Sequence, residues 1–255
     1  MVEALQVLLT RVRDSLIRDA LHNLTAKQRE ELQSEEFQPV SVGTREELLE
    51  WFKTTGRFRQ TYEEASRYLC APLTDEGLRE VMHDFAGELY QDIVYGFLST
   101  KQPQSGVLLS PERTFEFYKK LYPSRDVVKH RFRLDSLEGI SVPDGIVVEE
   151  HDGVEHIVAV CEYTLARSKQ IFGNKYDGLD IERRHFSQLF ADAYLLFVVP
   201  EGANLPRIDA EVQSMPFTHK QFRDYINDIY SCYQEFEGAA TLSSIQKNIR
   251  KQQRH

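Results

Sequence analysis

A chain of 255 residues with 41% hydrophobic side chains can bury a core of its own, as one large domain or as a core with helical additions. Its formal net charge of -9 argues against broad nonspecific nucleic-acid binding, yet leaves room for a locally basic cleft beside an acidic site. Cys70, Cys161 and Cys232 are odd in number and far apart, so they suggest neither a disulfide framework nor a zinc pattern and fit a reducing compartment. No apolar run approaches the roughly 18 residues of a membrane span. The opening MVEALQVLLTRVRDSL is charged every few residues, unlike a secretory signal, so a cytoplasmic protein is expected.

Leu5, Leu8, Val12, Leu16, Ala20 and Leu24 recur at helical spacing and predict an amphipathic helix over residues 1–24. The charged segment LTAKQREELQSEEFQP should follow on the surface. Thr44-Arg45-Glu46-Glu47 reads as a capping box before a second helix, and Gln60–Leu69 as a third, broken at Ala71-Pro72. Thr74 or Asp75 can cap a long helix to about Leu98, buried through Phe85, Leu89, Ile93 and Val94, with Glu88 beside that stripe. Ser110-Pro111 opens a helix that ends near Tyr122-Pro123. Strands are predicted at Val127–Leu134, Ser141–Glu150 and Val154–Thr164. The Gly- and Asp-bearing FGNKYDGLD then leads into a helix over Ile181–Ala191. Tyr194–Val199 is a buried strand, and Arg207–Ser214 a short further one. Thr218 caps a helix through Phe236, and a basic final helix begins near Leu242. Two adjacent antiparallel strands, with a last strand reached through a helix, give an α/β fold with a mixed central sheet flanked by helices.

The chemistry concentrates in VPDGIVVEEHDGVEHIVAVCEYT, residues 142–164. This is a hairpin turning at His151-Asp152-Gly153, with Asp144 near the start of one strand and Glu162 near the end of the other. A two-residue Asp-Gly loop pairs His151 with Val154 and sends the two acids to opposite faces. A three-residue loop pairs Glu150 with Val154 and puts Asp144, Glu162 and Thr164 on one face, the carboxylates on a diagonal of roughly 7–8 Å. The second register is favoured because it lets two carboxylates share a hard cation. In the plainer reading Asp144 belongs to a Pro-Asp-Gly turn and Glu162 pairs with Arg131 or Arg133.

Pro143-Asp144, the hairpin gap and Glu162-Tyr163-Thr164 resemble the PD-(D/E)xK motif of the restriction-endonuclease-like nuclease superfamily. The element order helix, three-stranded meander, helix, strand resembles its core over about residues 78–200. The resemblance implies an N-terminal helical region (1–74), a nuclease-like core (75–214) and C-terminal helices (215–255). It also implies that Asp144 and Glu162 hold Mg2+ (or Mn2+), and that Glu88 supplies a further acid from the first core helix. Thr164 stands where the superfamily has Lys and cannot supply its charge. Lys169 and Lys175 are the nearest replacements, with Arg131 as another phosphate contact.

Two functions follow as expectations. The first is a metal-dependent nuclease hydrolysing phosphodiester bonds in DNA, with Glu88, Asp144, Glu162 and Thr164 at its centre and a homodimer serving two strands. The second is a nuclease fold without catalysis, kept as a nucleic-acid-binding or protein-interaction scaffold, which Thr164 and the negative net charge favour. No membrane partner is expected.

Overall fold

The computed structural model describes residues 2–35, 37, 75–101, 106–123, 127–128, 140–167, 169–186, 189–228 and 231. The helices expected within 44–69 and beyond Leu242 lie outside the described residues, as do Arg131 and Arg133. The chain divides into two compact units, Met1–Val42 with Gly87–Pro216, and Gly43–Ala86 with Phe217–His255. Among the described residues, no helix is long and apolar enough to cross a membrane.

Helix α1 (Val2–Gln33) runs past its expected end. Ile17, Leu21 and Leu24 are buried, and the polar Thr25 and Gln28 continue the same face and are buried with them. Helical spacing explains the grouping, since residues four, seven, eight and eleven apart lie on one side. Gln28 is tolerated there because its amide donates to the Tyr95 hydroxyl at 2.7 Å and its carbonyl oxygen accepts from the Ser110 amide at 2.9 Å. The predicted stripe through Leu8, Val12 and Leu16 is exposed instead. The segment expected to be a surface connection after residue 24 is therefore in part a core helix.

Helix α2 (Asp75–Ser99) matches its expected span and buries Leu89, Tyr90, Ile93 and Val94. Strand β1 (Gly106–Leu109) was not anticipated. Ser110 then caps α3 (Pro111–Leu121), its hydroxyl accepting from the Arg113 amide at 3.3 Å, with Pro111 in the first turn. Of the predicted strand Val127–Leu134, Val127–Val128 form β2, which pairs in parallel with β3 (Ile140–Ser141) in a separate two-stranded sheet; residues 129–134 lie outside the described residues.

The main sheet adds β4 (Gly145–His151), β5 (Val154–Tyr163), β6 (Tyr194–Glu201) and β7 (Glu211–Thr218). Its order is β1-β4-β5-β6-β7. β1 is antiparallel to β4 and β4 to β5, whereas β6 runs parallel to β5. The parallel step requires a crossover, supplied by helix α4 (Lys169–His185). This helix begins earlier than expected and absorbs the Gly-bearing segment read as a lead-in loop. The mixed α/β sheet agrees with the sequence, and the strand that pairs with β4 on the side away from β5 is β1.

One face of the sheet carries Leu109, Ile146, Val148, Val160, Leu195 and Phe197, packed with α1 and α3. Leu108, Gly145, Cys161 and Tyr163 alternate onto the other face. In the second unit, Phe217 and Phe222 stack at 5.6 Å. Residues 219–228 form a helix capped reciprocally by Thr218 and Gln221, the Gln221 side chain accepting from the Thr218 amide at 2.8 Å.

Candidate metal and phosphate site

The hairpin turns through two residues, not three. Asp152 (φ 53°) and Gly153 (φ 76°) both adopt left-handed backbone, and His151 pairs with Val154. Left alone, this register would separate the two acids. A bulge shifts it: Val148 faces Ile157, whereas Val147 faces Ala159, so Val158 is an extra residue on β5. The pairing then runs Ile146 to Val160 and Gly145 to Cys161. Asp144 is the residue before this last pair and Glu162 the residue after it. The three-residue loop that would set the acids on a diagonal is not formed, and the charges of both carboxylates reach Lys175.

Each carboxylate is held by identifiable donors. The Tyr163 amide donates to Asp144 Oδ2 at 2.7 Å. The Gln91 side-chain amide, from α2, donates to Asp144 Oδ1. The Asp144 amide donates to the Cys161 carbonyl at 3.0 Å, which ties the acid to the end of the ladder. Glu162 is almost fully buried, its side chain 5% exposed, and its Oε1 pairs with the Lys175 ammonium from α4. The ion-pair partner of Glu162 is thus a lysine; Arg131 and Arg133, the arginines expected beside it, lie outside the described residues.

The electrostatics follow from this placement. Burial alone would lower the Lys175 pKa, but the Glu162 and Asp144 carboxylates overcome it and hold the group above its ordinary value. Lys175 therefore stays cationic through the physiological range. The Asp144 charge also reaches three buried neighbours. Burial first, and Asp144 second, push the Tyr90 phenol and the Cys161 thiol well up. Tyr163 is raised by burial, then by Cys161 and Asp144. These groups are neutral near pH 7 and unsuited to act as bases.

The other predicted residues fall as follows. Glu88 is half-buried on α2, one turn before Gln91 and so on the same helix face. Thr164 is buried beyond the end of β5, and its hydroxyl accepts from the Ala166 amide at 3.1 Å. That bond shapes the local chain and leaves the missing charge of the motif unsupplied. Lys169 is exposed at the start of α4, away from the contact that Lys175 makes. His185 ends α4, and its side chain, like those of His83 and Asp84, lies outside the described set. Gln91 was missed by the sequence reading. Its one signal was its position a helical turn after Glu88.

No set of three or more His, Cys, Asp or Glu side chains among the described residues is arranged to hold a metal ion. The donor set still suits a hard cation of the magnesium type, which takes one or two carboxylates and completes its shell with water and phosphate oxygens. Glu162 uses one oxygen on Lys175 and takes no other side-chain hydrogen bond among the described residues. Each Asp144 oxygen accepts a hydrogen bond, and a carboxylate oxygen offers more than one lone pair.

Comparison with protein-family models, with curated proteins and with solved structures found no match.

Proposed function

We propose that this chain is a metal-dependent nuclease that hydrolyses phosphodiester bonds in DNA, on a restriction-endonuclease-like core. The observation that carries the reading is the convergence of Asp144, Glu162 and Lys175 at one end of β4 and β5, with the lysine coming from the following helix. The order α2, antiparallel β1-β4-β5, α4, parallel β6 supports the same reading, because it is the element order of that superfamily with α3, β2 and β3 inserted.

Asp144 and Glu162 would hold Mg2+ (or Mn2+). When bound, such an ion lowers the pKa of a coordinated water and neutralises charge on the phosphate. Gln91 and the Tyr163 amide fix the Asp144 carboxylate before any ligand arrives, which limits the reorganisation that binding costs. Lys175 supplies a fixed positive charge beside the carboxylates, the contribution that Thr164 cannot make. An ammonium there attracts a phosphate oxygen and favours deprotonation of a nearby water. Glu88, aligned with Gln91, adds a carboxylate on the α2 side of the site.

The test is cleavage of plasmid and single-stranded DNA with Mg2+ or Mn2+ supplied, comparing native protein with Asp144→Ala and Glu162→Ala. Cleavage by the native protein that is lost in both variants supports the enzyme. No cleavage under any metal, with DNA binding retained, would instead favour the non-catalytic scaffold.

A further inference from the structure

The second half of α1 serves the core, whereas the first half exposes an apolar ridge. Ile17, Leu21 and Leu24 are buried in the cluster that α1 shares with α3 and the sheet. Leu8, Leu9, Val12 and Leu16 are 57%, 61%, 50% and 63% exposed. At about 100° of turn per residue, the midline of Leu8, Val12 and Leu16 lies roughly 150° around the helix from that of Ile17, Leu21 and Leu24. The ridge therefore faces away from the core on which this helix packs.

Size, symmetry and charge narrow what can cover it. At roughly 100 Å² apiece, the four side chains leave about 400 Å² of apolar surface, a size at which patches on single chains are often functional. Two copies facing each other would withdraw about 800 Å² through these side chains alone, and the flanking residues of two crossing helices bring the total to about 1,000 Å², the lower bound of a specific interface. Leu8, Val12 and Leu16 are spaced four residues apart, so they form one i, i+4 row centred on Val12. A two-fold axis at Val12 lays this row across its own copy, Leu8 of one chain over Leu16 of the other, in the crossing that such rows favour. Residues 1–20 hold three acids (Glu3, Asp14 and Asp19) and three arginines (Arg11, Arg13 and Arg18), so the segment is neutral in a chain of net charge -9. A second copy meets no local repulsion there, whereas an anionic lipid surface calls for an excess of Lys and Arg.

We propose that this ridge is the contact surface of a two-fold dimer, in which α1 crosses the α1 of a second copy of this chain, antiparallel, at Val12. The contact is small, so association is expected to be weak, with a dissociation constant in about the micromolar range. It is independent of the site at Asp144 and Glu162, and neither needs the other.

The experiment is sedimentation velocity of the full-length chain in reducing buffer over about 1–200 µM, a range that brackets micromolar association. Native protein is compared with Val12→Arg and Leu8→Gln, each checked for folding by circular dichroism and for thermal midpoint at the lowest concentration. Native protein should pass from monomer to dimer mass across this range. Val12→Arg should stay monomeric, and Leu8→Gln should weaken association by roughly fivefold or more, both with the thermal midpoint of the native monomer. A native chain that is monomeric throughout, or a dimer unchanged in both variants, would overturn the proposal. A native monomer whose thermal midpoint falls in Val12→Arg would overturn it by showing that a segment of the same chain covers the ridge. A native monomer that sediments with phosphatidylcholine–phosphatidylserine vesicles, and no longer does so in Val12→Arg, would overturn it in favour of a lipid surface.

Discussion

The backbone amide of Tyr163 donates to Asp144 Oδ2 at 2.7 Å, so the first acid of the site is held by the strand that carries the second. Gln91 holds the other oxygen from α2. In Asp144→Asn, one oxygen becomes an NH2 group and must face one of these two donors. The expected outcome is a folded protein of lower thermal midpoint whose metal-dependent cleavage falls at least about a hundredfold, since even indirect partners of a metal are worth 10–100-fold. Gln91→Leu should keep the fold and weaken metal affinity more than it slows turnover at saturating metal. Titrating cleavage against Mg2+ concentration separates the two effects.

Lys175 and Glu162 form a pair in which the carboxylate is buried and the lysine side chain is 38% exposed. Removing the cation alone strands the carboxylate. Lys175→Gln should therefore destabilise by about 1–3 kcal/mol, below the range for fully buried pairs because water screens this lysine. Adding Glu162→Gln should recover part of that loss, and a double-mutant cycle by denaturant unfolding measures the coupling. The sign of the pH dependence is fixed by the raised lysine pKa. The stabilisation is fully present below the ordinary lysine value, about 10.4, and is lost as pH rises through the higher folded value. Unfolding midpoints followed into the alkaline range should show this decline in native protein and not in Lys175→Gln.

Gly145 has no room for a side chain. A Cβ there would lie 2.5 Å from the Tyr163 hydroxyl and 3.1 Å from Leu108 Cδ1. Tyr163 is buried, and its hydroxyl takes no hydrogen bond among the described residues. Gly145→Ala should cost about 1–3 kcal/mol through overpacking. Tyr163→Phe should be neutral or stabilising, because it removes an unsatisfied polar atom. The double variant should be more stable than Gly145→Ala alone. Thermal unfolding of the three variants checks this.

Glu155 lies near the turn on the face that meets α1, its side chain 7% exposed, with Arg29 at 3.5 Å and His22 at 3.6 Å. Burial raises its pKa more than His22 and Arg29 lower it. A carboxyl group with a raised folded pKa favours the folded state at low pH and opposes it once both states are ionised. Glu155→Gln should therefore raise the thermal midpoint near pH 7, with the gain shrinking as pH falls through the ordinary carboxylate range. A midpoint lowered at neutral pH would show that Arg29 and His22 outweigh the burial.

Local signals made part of this fold readable. The Ser110-Pro111 cap, the Thr218 cap, the α2 stripe and the apolar strand before Pro200 each carry their cause in neighbouring residues. Elements fixed by distant partners were not readable in the same way. Gln28 is buried because Tyr95 and Ser110, 67 and 82 residues away, satisfy its amide. β1 is a four-residue run that becomes a strand through its pairing with β4. α4 continues through Gly173 and Gly178, which local propensity alone would penalise by ~1 kcal/mol each. At the site, Asp144, Glu162 and the candidacy of Lys175 were legible. The bulge at Val158 was not, because no residue there announces it, and the placement of both acids depends on it.

The most direct test is diffraction from crystals of the native chain grown or soaked with Mn2+, using the anomalous signal of the metal. The account predicts a peak within coordination distance of both the Asp144 and Glu162 carboxylates. No peak there, with Lys175 still occupying Glu162 at saturating Mn2+, would contradict it.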